Sequence, residues 1–97
     1  ILIYKMKFEF DSKKNQRNIE LRGLDFSMTK DLEWHKAILW RDIRKEYAES
    51  RECALAPLNG RIYFVTFTVR NDNVRIISFR KANKREVRNY EKTKSKS

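Results

Sequence analysis

The sequence predicts an α+β domain in the order β-α-α-β-β-β-β-α, with helices packed on a mostly antiparallel sheet. Three observations predict it. The first residues alternate apolar and polar side chains. Later runs of strand-forming residues are separated by Asn-rich turn signals. Polar stretches with helix-capping residues stand before and after those runs.

Ile3 to Phe10 sets Ile3, Lys5, Lys7 and Glu9 on one face and Tyr4, Met6, Phe8 and Phe10 on the other, a first strand with one apolar face. Asp11 and Ser12 suit the N-cap of a polar helix that ends at Gly23 and carries Ile19 and Leu21 as its main apolar groups. A second helix is expected from about Ser27 through Leu32. Ala37 to Ile43 reads as the second strand, and the charged run Asp42 to Ser50 as a loop. Arg51–Leu58, Ile62–Arg70 and Val74–Arg80 complete a four-stranded meander. Asn59-Gly60 forms one hairpin turn, and Asn71-Asp72-Asn73 supplies another connection because Asn and Asp tolerate left-handed backbone. Asn83 caps the last helix, and Glu86 three residues on fits a capping box. The Lys/Ser/Thr tail after about Lys92 is expected to fray.

Ninety-seven residues make one domain, 1–97, and 40% hydrophobic residues with twelve aromatics are enough for one modest core. No apolar run approaches the length of a membrane span, and Ile1 to Phe10 is too short and too alternating for a signal peptide. No membrane contact is expected. A lone Cys53 fits a reducing cytoplasm, and with a single His it argues against structural zinc; no cofactor is expected. Cys53 reads as a small buried hydrophobe.

The charge is one-sided, +10 with a pI near 10.0, and it is concentrated. Arg75 to Ser97 holds nine Lys/Arg against two Glu, so about seven of the ten net charges lie in the last quarter. A strand signal (Ile76, Ile77, Phe79) runs into Arg80, Lys81, Lys84, Arg85 and Arg88. A phosphate backbone is the commonest partner of such a cluster. Ser78 alternates onto the side of Arg80, where it either positions a phosphate or packs as a strand hydroxyl.

Several segments together resemble the BrnT family, the toxins of a type II toxin-antitoxin pair. They are Phe8–Asp11, Asn18 through Gly23-Leu24-Asp25-Phe26, Asp42–Arg51, Leu58–Arg61 and, most specifically, Arg75–Glu91. The resemblance implies a RelE-like fold, a ribonuclease that arrests translation, and a small BrnA-like antitoxin partner with an acidic interface. That antitoxin binds DNA, so the pair represses its own operon and this chain meets DNA only indirectly. The family often has Lys-His-Gly where this chain has Leu21-Arg22-Gly23; Arg22 keeps a cation there, but a guanidinium does not shuttle protons near neutral pH.

Metal-free RNA cleavage needs in-line attack by a 2′-hydroxyl, charge stabilisation on the phosphoryl oxygens, and two proton transfers. Arg22, Arg51, Arg80 and Lys81 are the candidate catalytic cations; one well-placed donor is worth roughly 3–4 kcal/mol. Ser78, Lys84, Arg85, Arg88 and Tyr90 are the candidate substrate-binding residues, with Tyr90 read either as stacking a base or as packing its helix. His35 reads as a surface or partly packed imidazole, Glu86 as a cap partner, and Trp34 and Trp40 as core or partner-interface residues; an exposed Trp40 would favour antitoxin docking. The alternative function is a non-catalytic module that binds nucleic acid or protein, acting mainly within the repressor complex.

Overall fold

The computed structural model describes residues 3–44, 46 and 48–96. Strand β1 (Lys7–Phe10) leads into helix α1 (Ser12–Arg22). The Asp11 carboxylate accepts a hydrogen bond from the Lys14 amide at 3.0 Å, which caps α1 and lowers the Asp11 pKa. Gly23 ends the helix at φ 69°, a left-handed backbone, and its N–H donates to the Ile19 carbonyl. Upstream of β1 the expected strand is cut short. Ile3–Lys5 is a 3-10 turn, and Ile3, expected on the polar face, is buried in the core. The Tyr4 side chain lies outside the described residues.

The helical turns expected from Ser27 form a 3-10 helix, Phe26–Asp31, capped by Asp25. A second 3-10 turn, Trp34–Lys36, follows, and the Trp34 indole N–H donates to the Thr29 carbonyl at 2.9 Å. Strands β2 (Ile38–Arg41), β3 (Glu52–Leu58), β4 (Arg61–Arg70) and β5 (Asn73–Lys81) then form the antiparallel meander. Asn59 and Gly60, and likewise Asn71 and Asp72, take positive φ, the geometry that matches a tight turn to strand twist. Pro57 falls beyond the last pairing of β2, so its missing N–H costs no ladder bond on that side.

The sheet has five strands in the order β1-β5-β4-β3-β2, with β1 parallel to β5. The core lies on one face. Phe8 and Phe10 from β1 pack there with Ala54, Ala56, Tyr63, Val65, Phe67, Val74, Ile76 and Phe79, under Ile3, Leu24, Phe26, Leu32 and Trp34. Helix α2 (Lys84–Ser95) closes the chain with the expected capping box between Asn83 and Glu86; it runs on through the Lys/Ser/Thr tail as far as Ser95. Among the described residues no helix is long and apolar enough to cross a membrane.

Helix α1 has one buried residue, Asn18 at 8% exposure. Its amide donates to the Leu24 and Phe79 carbonyls, both at 3.0 Å, and so ties α1 to the stretch of β5 beyond the end of β1. Replacing Asn18 by Ala leaves both buried carbonyls without this donor. A loss of about 2–3 kcal/mol in folding free energy is expected, read from urea denaturation by circular dichroism. An unchanged midpoint would show that α1 docks through other contacts.

Candidate phosphate-binding face

Strand register sorts the sheet into the core face and a second face. On the second face Trp40 stands opposite Cys53, Cys53 opposite Thr66, and Thr66 opposite Ser78, one row across four strands. Arg80 stands opposite Phe64 on one side of that row, and Arg75 opposite Thr68 on the other. Arg75 and Arg80 share a face only because β5 carries a bulge: Thr66 pairs with Ser78 and Phe67 with Ile76, so Ile77 is the extra residue.

Lys14, Glu49, Arg51, Thr68, Arg75, Ile77 and Ala48 line a recess of about 210 Å³. Arg51 precedes β3 and continues its alternation on the side of Cys53. Arg51 and Arg75 are half-buried. Arg75 forms no salt bridge among the described residues. Glu49, at the same recess, is held in a two-pronged ion pair by Arg70, which keeps its carboxyl below the usual range and ionised at neutral pH. A second recess, about 250 Å³, shares Lys14 and Ile77 with the first and adds Arg17, Asn18, Leu21, Arg22 and Phe26. Arg22 therefore belongs to the same continuous basic surface, one recess away from Arg51 and Arg75.

Arg80 is placed differently. Its Nη1 and Nη2 donate to Glu86 Oε1 and Oε2 at 2.8 and 2.9 Å, and its guanidinium carbon lies 4.3 Å from the centre of the Phe64 ring. Glu86 Oε1 also accepts the Asn83 N–H at 2.9 Å, closing the capping box. The pair with Arg80 depresses the Glu86 pKa and raises that of Arg80. The cation expected to act on substrate thus pins the start of α2 to β5, with its charge compensated.

Other expected site residues separate further. Lys81 stands opposite Tyr63, in register with the core face, so it leaves the sheet on the side away from Arg51 and Arg80. Strand alternation makes this unavoidable for neighbours in sequence. Tyr90 is buried and its hydroxyl donates to the Lys36 carbonyl at 2.8 Å; burial raises its pKa. Its ring anchors α2 and is not presented to a base. Lys84, Arg85 and Arg88 are exposed on α2. Of these, Arg85 borders a third recess, about 410 Å³, with Trp40, Phe64 and Arg80. His35 is exposed and lines none of these recesses. Burial raises the pKa of the Cys53 thiol, as suits a packed side chain. Among the described residues no three His, Cys, Asp or Glu side chains gather as a metal-binding group.

Sequence reasoning missed Arg75, Lys14 and Thr68 as recess residues. One signal for Arg75 was present. Consecutive Ile76 and Ile77 break the period-two pattern, and a bulge is the usual way a strand absorbs such a break.

The Arg80–Glu86 pair makes stability depend on pH in one direction. Glu86 titrates in the ordinary glutamate range in the unfolded chain and lower in the folded one. Its contribution is therefore complete above that ordinary range and is lost as pH falls through the lowered folded value. Glu86→Gln is expected to cost about 1 kcal/mol at pH 7, with the difference from wild type shrinking below about pH 4. Thermal melts across pH check this; a constant difference down to acid pH would show that the charge of Glu86 contributes nothing to stability.

No curated protein matches the chain in direct sequence comparison. The sequence model of the ribonuclease toxin BrnT of type II toxin-antitoxin systems matches residues 10–86, from the end of β1 to the first turn of α2. The resemblance read from the motifs is thereby borne out: this chain belongs to the BrnT family of ribonuclease toxins of type II toxin-antitoxin systems.

Proposed function

We propose that the chain is an endoribonuclease that cleaves RNA without a metal ion, with Arg51 and Arg75 as its phosphate-binding catalytic cations. The observation that carries this reading is that two half-buried arginines from neighbouring parts of the sheet line one recess with Thr68 and Lys14. Both can donate to the non-bridging oxygens of one phosphate, and Lys14 adds charge at the rim. These cations supply the charge stabilisation that a metal supplies in other nucleases.

The ribose 2′-oxygen attacks the adjacent phosphorus and the 5′-oxygen leaves, giving a 2′,3′-cyclic phosphate and a 5′-hydroxyl. Glu49 is the carboxylate among the described lining residues, but Arg70 occupies both its oxygens and lowers its pKa, which weakens it as a base, so the 2′-hydroxyl proton passes to solvent water. The leaving oxygen takes its proton from solvent. The activity belongs in the cytoplasm, where it inhibits translation. A DNA-binding antitoxin neutralises the toxin through an acidic segment laid on the basic face, and the pair represses its own operon.

Purified protein is expected to cleave single-stranded RNA in excess EDTA. Arg75→Ala and Arg51→Ala are each expected to slow cleavage about 10²- to 10³-fold with an unchanged melting temperature. Lys81→Ala, on the other face, is expected to cleave like wild type. Full activity in a folded Arg75→Ala variant would remove this recess from the mechanism. Wild-type protein that binds RNA but leaves it intact, with or without metal, would favour the non-catalytic binding module.

A further inference from the structure

The third recess is not used by the chemistry above, yet it has the composition of a base-binding site. Trp40 is 39% exposed on β2, an edge strand of the sheet. Its ring meets Phe64 edge-on, with centroids 5.8 Å apart. Phe64 is in turn backed by the Arg80 guanidinium, which Glu86 holds in place. The aromatic pair is therefore fixed from behind while the indole stays partly open. Arg85 stands at the margin of the same recess, about 410 Å³ in volume. A fixed aromatic ring beside a cation, on a chain of net charge +10, is the arrangement that stacks bases of a single strand.

The position of the recess adds to its composition. Trp40, Cys53, Thr66 and Ser78 form one row across the sheet. Thr68 and Arg75 form the adjacent row on the same face, which Arg51 extends toward β2. Residues two apart on a strand are separated by roughly 7 Å. Phe64 and Thr68 stand four residues apart on β4, roughly 13 Å along the strand with Thr66 between them, so a base at Phe64 and Trp40 lies about two nucleotide steps along the sheet from a phosphate held at Arg51 and Arg75.

The geometry points to a nucleobase subsite at Trp40 and Phe64, which receives a base of the bound RNA strand about two nucleotides from the phosphate gripped at Arg51 and Arg75. This rests on the RNA-cleaving reading of the same face. The subsite reads stacking rather than base edges, so it raises affinity for any base, most for purines.

The test uses the full chain and a short single-stranded RNA with 2′-O-methyl riboses, which cannot be cleaved, so binding is scored apart from catalysis. A matched oligonucleotide with abasic positions serves as control. Wild type is expected to bind the base-bearing strand about 5- to 150-fold more tightly than the abasic one. Trp40→Leu is expected to erase most of that preference, and Trp40→Phe to keep much of it. Arg85→Ala is expected to weaken both strands alike. Melting temperatures and binding of the abasic strand show that the variants fold.

Equal binding of the two strands by wild type would overturn the subsite. So would a folded Trp40→Leu variant that keeps the preference. If Trp40→Leu leaves RNA binding untouched but abolishes capture of the purified antitoxin, the exposed indole is a protein-docking residue and the subsite is again wrong. A wild type that binds with base preference yet cleaves no unmodified RNA would overturn the catalytic reading alone.

Discussion

The fold and its basic face both depend on the bulge at Ile77. A strand presents alternate residues to opposite faces, so Ile76 and Phe79, three apart, can both enter one core only if a residue between them is unpaired. Both are essentially buried there, packed with Val65 and Phe67. The same extra residue turns Arg75, Ser78 and Arg80 to the second face together. In a regular strand, alignment of Phe79 with the core would have sent Arg75 into the aromatic cluster. Burying a guanidinium there without a partner costs several kcal/mol.

The bulge also marks a change of neighbour. Parallel pairing of β1 with β5 ends at Phe10 and Ile76. Beyond it, the β5 edge would be bare if the Asn18 amide did not reach across from α1 to the Phe79 carbonyl. A polar side chain thus finishes an edge that a longer β1 would otherwise have covered. The chain turns from strand to helix at Asp11, so that α1 lies alongside the basic face.

How much of this was legible in the sequence follows from the range of the forces involved. The ends of α1, the two Asn-rich turns and the capping box of α2 were readable, because each is fixed by residues within four positions of one another. The meander was readable from its turns. The burial of Ile3, the 3-10 character of Phe26–Asp31 and the parallel docking of β1 were not, since each depends on packing against distant strands. The site was legible as a density of cations but not as a geometry. Lys81 and Arg80, adjacent in sequence, leave opposite faces; Arg51 and Arg75, far apart in sequence, line one recess. Tyr90 carried the right ring for stacking, but its place in the helix turned it inward.

Charge density alone also misjudges which cations are available. Arg80 sits in the middle of the most basic segment, yet it has a bidentate carboxylate and an aromatic ring as partners. Arg75 has no salt bridge among the described residues and faces Thr68, with Lys14 and Arg51 beside it. Like charges sharing a recess repel, and the Glu49 and Asp11 carboxylates that interact with Arg75 offset only part of it. Helix α1 shows the same economy. Asn18 is its one buried side chain, and Lys14, Arg17 and Arg22 line the recesses beside it. Little of α1 serves the core, and much of it serves to carry positive charge to the edge of β5. On the reading proposed above, an anion laid along that edge relieves part of this like-charge repulsion.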